Sequence, residues 1–194
     1  KQEEGSSFAE IKSFELNNVS FISDNQRRNK LFDFQIDDLK GNIDFVSEGW
    51  NADLKLETFA KSFAFNTKHG SFMKNKQLKG KLKINFNNDK QALTIAPSNL
   101  QIGDNDFNVG GQFNVGKENS SFSINIKVGT ILWKQASNLL SNNISFQLDR
   151  FDLEKPIAVT CDIVGDLNAE GDPLIYVKAK VTNNRLHVPD GIVD

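Results

Sequence analysis

Between Leu78 and Val128 nearly every second residue is apolar or glycine, and that period decides what the chain can become. Leu78, Gly80, Leu82, Ile84 and Phe86 alternate with Lys and Asn, and the same beat returns in Leu93–Ile95, Leu100–Ile102, Phe107–Val115 and Phe122–Val128. A period of two is that of an extended strand with one dry face and one wet face. Clusters rich in Asn, Asp, Gly and Ser separate the runs, at Asn87-Asn88-Asp89-Lys90, Pro97-Ser98-Asn99, Gly103-Asp104-Asn105-Asp106 and Gly116-Lys117-Glu118-Asn119. Such residues supply positive φ and side-chain-to-backbone bonds that reverse a chain, so the stretch reads as a β-meander.

The pattern holds on both sides of this stretch. Phe32-Phe34-Ile36, Leu39 to Phe45, Trp50 to Leu56, and Phe59 with Phe63 and Phe65 precede it. Phe14 and Leu16 share one parity and Val19 and Phe21 the other, which marks a bulge or tight turn at Asn17-Asn18. After it come Ile144-Phe146-Leu148, Phe151-Leu153, Ile157 to Ile163, Leu174 to Val181, and Leu186-Val188. Counted as separate runs these give roughly 14 to 16 short strands. Leu174-Ile175-Tyr176-Val177 is apolar at consecutive positions, which predicts a strand covered on both faces. One segment breaks the beat. Over 131–141, Leu132, Ala136, Leu139 and Leu140 fall at helical spacing beside Trp133, with Thr130 as N-cap; this predicts one short helix plugging an end of the β structure. Residues 1–7 read as a loose polar tail before a single β-rich domain.

Composition narrows function more by exclusion than by suggestion. A net charge of -2 gives no overall field for nucleic acid. No apolar run is long enough for a membrane-spanning helix. The one cysteine, Cys161, rules out an internal disulfide and sits in a strand as a small hydrophobe. His69 falls in a polar turn without metal-ligand spacing, and His187 points to the wet face of a strand. No catalytic constellation, cofactor motif or metal-ligand cluster is visible, so the reading is of a protein that is not an enzyme. There are 16 Phe against one Tyr, and Phe offers area without a polar handle, which points to burial against something wholly apolar.

So many one-sided strands pose a packing problem that one helix cannot solve. Either the sheet closes on itself as a sandwich or barrel, or it curls into an elongated groove or open half-barrel whose dry lining receives a ligand. In the second case Ile84, Phe86, Phe107, Val109, Phe122, Ile124 and Ile126 line the groove, and a seven-residue strand offers ~23 Å, comparable to an extended acyl chain. In the first, the chain is a scaffold or adhesion module.

Two stretches carry a family likeness. Leu93-Thr94-Ile95, Leu100-Gln101-Ile102-Gly103 and Phe107-Asn108-Val109-Gly110-Gly111-Gln112-Phe113 join similar strands through an "I-G" turn closed by "G-x-F". Val164-Gly165-Asp166-Leu167, Gly171-Asp172-Pro173-Leu174 and Leu186 to Gly191 set "G-x-L" and "G-x-hydrophobic" strands around a polar insert after a small helix. In these patterns residues 14–191 resemble the AsmA-like proteins of Gram-negative envelopes, relatives of TamB. The resemblance implies a periplasmic protein tethered to the inner membrane by an anchor outside these 194 residues. It also implies a hydrophobic β-groove that carries phospholipid in outer-membrane biogenesis, with no catalytic residue.

Overall fold

The structure, a computed structural model, describes residues 11–116, 120–140 and 142–188. The tail expected over 1–7 and turn residues 117–119 lie outside them. In chain order the strands are β1 (Ser13–Asn25), β2 (Lys30–Val46), β3 (Gly49–Ala64), β4 (Lys76–Asn87), β5 (Ala92–Ile102), β6 (Asn105–Asn114), β7 (Ser121–Ile131), β8 (Asp152–Leu153), β9 (Ile157–Asp166), β10 (Leu174–Lys180) and β11 (Leu186–His187). Helices α1 (Trp133–Ser137) and α2 (Asn142–Leu148) follow β7. Nine strands form one antiparallel sheet in the order β1 to β7, then β9 and β10, while β8 and β11 make a separate two-residue ladder. The sheet is open, with β1 and β10 as its edges. The chain is therefore all-β, an open curled meander.

The strands are fewer and longer than the runs suggested, because several interruptions are bulges rather than turns. Asp37 is the extra residue of β2 against β3, since Ile36 pairs with Thr58 and Asp38 with Glu57; Lys61 is the extra residue of β3. In β1 the parity slip falls at Asn18, which adopts φ 55° opposite the β2 bulge. Pro97 lies in an irregularity of β5 between Ile95 and Ser98, where its missing N–H costs no ladder bond. Phe59 pairs with Gln35 and Gln77 on the outer face, and the smaller Thr58 and Ala60 take the inner positions. Thr58 satisfies its hydroxyl there by donating to the Gln35 carbonyl at 2.9 Å.

The sheet curls sharply. In a flat sheet β3 and β7, four places apart, would stand ~19 Å from each other. Yet Phe65, just past β3, stacks on Phe122 of β7 with ring centroids 4.9 Å apart. Phe65, Phe122 and Ile163 form one packed cluster, with Phe32, Phe63, Phe72 and Phe113 around it. A larger cluster joins Ala60, Leu78, Leu100, Ile102, Phe107, Val128, Ile131, Leu153 and Ile157. Polar bonds hold the fold-over from outside: His69 Nδ1 lies 2.5 Å from Asp172 Oδ2, and Arg28 Nη1 donates to Asn168 Oδ1 at 2.8 Å.

The region after β7 corrects two expectations. The single helix predicted over 131–141 is a five-residue helix capped at Leu132, followed by α2, where Ile144, Phe146 and Leu148 had suggested a strand. Residues i and i+4 share a helix face but i+2 falls opposite, so in the helix Phe146 turns away and is 72% exposed. Trp133, Ala136 and Leu139 pack on the larger cluster, Leu132 is exposed and Leu140 half-buried. Because α1 sits there, it does not cover β10. All seven residues of β10 are exposed, contrary to the covered strand expected at Leu174–Val177.

Candidate functional site

Cross-strand register lines the inner side chains into rows. One runs Ile43, Ala52, Ile84, Ile95, Gly111, Ile124, Ile163 and Ile175 across eight strands. The row nearer the β2–β3 turn runs Phe45, Trp50, Phe86, Leu93, Phe113 and Phe122. Two further rows are Phe14, Gly41, Leu54 and Leu82, and Leu16, Leu39, Leu56, Gly80, Leu100 and Phe107.

The curl covers these rows unequally. Over β6, β7 and β9 the inner residues lie beneath the fold-over and belong to the packed clusters. Over β1 to β5, toward the β2–β3 turn, they do not. Phe14, Ile43, Trp50, Leu54, Leu82, Ile84, Phe86 and Leu93 are half-buried and belong to neither cluster, and Phe45 is exposed. They form an apolar ramp about 19 Å across five strands and about 13 Å along them, a contiguous dry patch of the kind that marks interaction sites on proteins. A concavity of about 680 Å³ lies at its β1–β4 portion, lined by Phe14, Gly41, Leu54 and Leu82 together with polar residues of both charges that include Glu15, Lys40, Asp53 and Lys81.

Two glycines give the ramp its form. A Cβ at Gly41 would stand 2.5 Å from the Phe14 ring and 2.7 Å from Leu54 Cδ2, so only glycine lets that ring lie over β2. Gly49, at φ +151°, would place a Cβ 1.9 Å from the Phe86 carbonyl oxygen. Its absence brings β3 close to β4, where Trp50 and Phe86 stack at 5.6 Å and 22°.

The seven residues predicted to line a groove divide between the two regions. Ile84 and Phe86 stand on the ramp. Phe107 and Phe122 are buried members of the clusters, and Val109, Ile124 and Ile126 pack against them. Sequence reasoning missed Phe14, Trp50, Leu54, Leu82 and Leu93, although each lies on an alternating run.

The outer face is a lattice of opposite charges. Lys40 pairs with Glu15 at 3.0 Å, Lys79 with Glu57 at 2.5 Å and Lys83 with Asp53 at 3.9 Å. The Asn17 amide and then Lys40 hold the Glu15 carboxyl below its ordinary range. Cys161 lies on the inner face opposite Ile126, and burial, then Asp162, pushes its thiol up, away from nucleophilic reactivity. His187 Nε2 lies 3.0 Å from Glu154 Oε1. Among the described residues no group of three or more His, Cys, Asp or Glu could hold a metal, and no helix is long and apolar enough to cross a membrane.

Comparison with protein-family models, curated proteins and solved structures finds no match to this chain.

Proposed function

We propose that the ramp binds acyl chains of phospholipid, and that the chain works as a carrier or conductor of lipid rather than as an enzyme. The observation that supports this reading is the unequal cover of one continuous apolar face: eight large side chains from Phe14 to Leu93 stay outside both packed clusters. Rows of Ile, Leu and Phe offer contact without polar partners, which suits a methylene chain and suits no hydrogen-bonding ligand. Each methylene withdrawn from water contributes about 0.8 kcal/mol. A periplasmic setting, an inner-membrane tether and a part in outer-membrane biogenesis belong to the same proposal, through the likeness of residues 14–191 to AsmA-like proteins.

The test is retention of phospholipid. Native mass spectrometry of the purified chain should show co-purified or added phospholipid, and a labelled phospholipid should bind. Ile84→Glu/Phe86→Glu should weaken that binding at least tenfold while far-UV circular dichroism stays unchanged. A wild-type chain that retains no acyl lipid and binds none overturns the reading.

One observation favours a second reading. The stack of Phe65 on Phe122 shows that half of the dry face is consumed by the protein itself. A scaffold or adhesion module whose ramp is a contact for another protein fits that half-closed shape, and it predicts that a dye bound on the ramp is not displaced by phospholipid.

A further inference from the structure

Exposed large apolar residues gather at the two edges of the sheet, where backbone pairing is also unfinished. Among the described residues β1 pairs only with β2, and β10 only with β9. Phe21 and Ile22 of β1 are 51% and 62% exposed, and Leu174 and Val177 of β10 are 62% and 61% exposed. Edge strands are ordinarily blunted by proline, bulges, inward-pointing charge or lysines. β10 has no proline, no register shift toward β9 and no charged residue at an inner position, its two lysines standing on the outer side near its end, and β1 is regular from Val19 to Asn25, past its irregularity at Asn18.

The two edges match each other in chemistry. On the inner side β10 presents Ile175 and Val177, which extend the rows of Ile163 and Cys161; β1 presents Val19 and Phe21, which extend those of Ile36 and Phe34. On the outer side β10 ends in Lys178 and Lys180, whereas β1 ends in Asp24. They also match in direction. Eight consecutive antiparallel pairings make the outermost strands of a nine-stranded sheet run the same way, so a neighbour that keeps its inner face on the same side meets β10 with a parallel β1.

The geometry points to a head-to-tail joint between copies of this chain, β10 of one molecule adding to β1 of the next. Parallel alignment sets Ile175 beside Val19, Val177 beside Phe21 and Lys180 beside Asp24. Two β10 edges brought together by a twofold axis would instead run antiparallel, set the lysine end of each against the apolar start of the other, and leave both β1 edges unpaired. A heterologous joint does not close on itself, so copies add in rows. One strand pair buries little area, which makes the association weak and concentration-dependent. This joint rests on the edges alone and stands or falls independently of lipid binding.

Sedimentation velocity on the 194-residue chain tests it. Wild type should associate progressively with concentration. Val177→Lys, which blocks β10, and Val19→Lys, which blocks β1, should each be monomeric alone, and their equimolar mixture should form a one-to-one pair and nothing larger. A wild type that stays monomeric overturns the joint, as does a mixture that does not pair or either blocked variant associating alone as strongly as wild type. Exposed charge reversals give a second measurement that leaves the apolar positions intact. Lys180→Glu should weaken association at least tenfold and Lys180→Glu/Asp24→Lys should restore it; failure of the double variant to recover contradicts the register.

Discussion

Lys30 shows how the curl taxes single residues. It opens β2, is only 5% exposed, and lies near Arg28, Asp166 and Asp172 where the fold-over meets the β9–β10 loop. Burial lowers its proton affinity most, Arg28 adds to that, and the two aspartates partly oppose it. Its folded pKa thus lies below its unfolded one, so between the two the unfolded chain holds more protons and stability rises with pH. Urea unfolding followed from neutral pH up to about 10.5 should show this rise, and Lys30→Met should flatten it. An identical slope in both proteins would mean that Lys30 pays nothing for its burial. Asp166 behaves oppositely: the Ser120 hydroxyl, then the Asn168 N–H, hold its carboxyl below the ordinary range. That contribution is present above the unfolded carboxylate pKa and is lost as pH falls through the folded one.

At the scale of elements, the long β2–β3 hairpin does most to shape the molecule, because its far end turns over the inner face of β7 and β9. Phe65 is the wedge, 1% exposed and in ring contact with Phe32, Phe63, Phe72 and Phe122. Phe65→Ala should cost ~3–5 kcal/mol in urea unfolding, the range for a fully packed phenylalanine. Phe86→Ala, on the ramp, should cost less than half of that, since among the described residues Trp50 is its one ring neighbour. Equal costs would mean the ramp is as well packed as the core. This division could not be read from the chain, where Phe65, Phe86, Phe107 and Phe122 all stand on alternating runs. Alternation reports which face a side chain takes. Whether another part of the sheet covers that face depends on contacts such as Phe65 to Phe122, far apart in sequence. Bulges were half legible for the same reason: a parity slip at Asp37 or Pro97 looks alike in a turn and in a bulge, and the partner strand decides between them. The turn residues before Gly49 and at Gly103-Asp104 do mark hairpins, because their chemistry is local.

For the whole molecule, one sheet serves as its own lid over half its length and leaves the other half dry and uncovered, with two complementary edges at its flanks. The all-β meander was legible from the period-two beat alone, and its open curl was one of two solutions that beat allowed. The two tryptophans divide along the same line: Trp50 stacks on Phe86 at the ramp, and Trp133 packs on the larger cluster and donates to the Leu148 carbonyl at 3.0 Å. They therefore report on the two halves separately. The direct measurement is quenching of tryptophan fluorescence by a phospholipid brominated along its acyl chain, in Trp133→Phe and in Trp50→Phe. The account predicts strong, saturable quenching of Trp50 in the first variant and little change of Trp133 in the second. Absence of quenching at Trp50, with both variants folded, would contradict an acyl chain on the ramp.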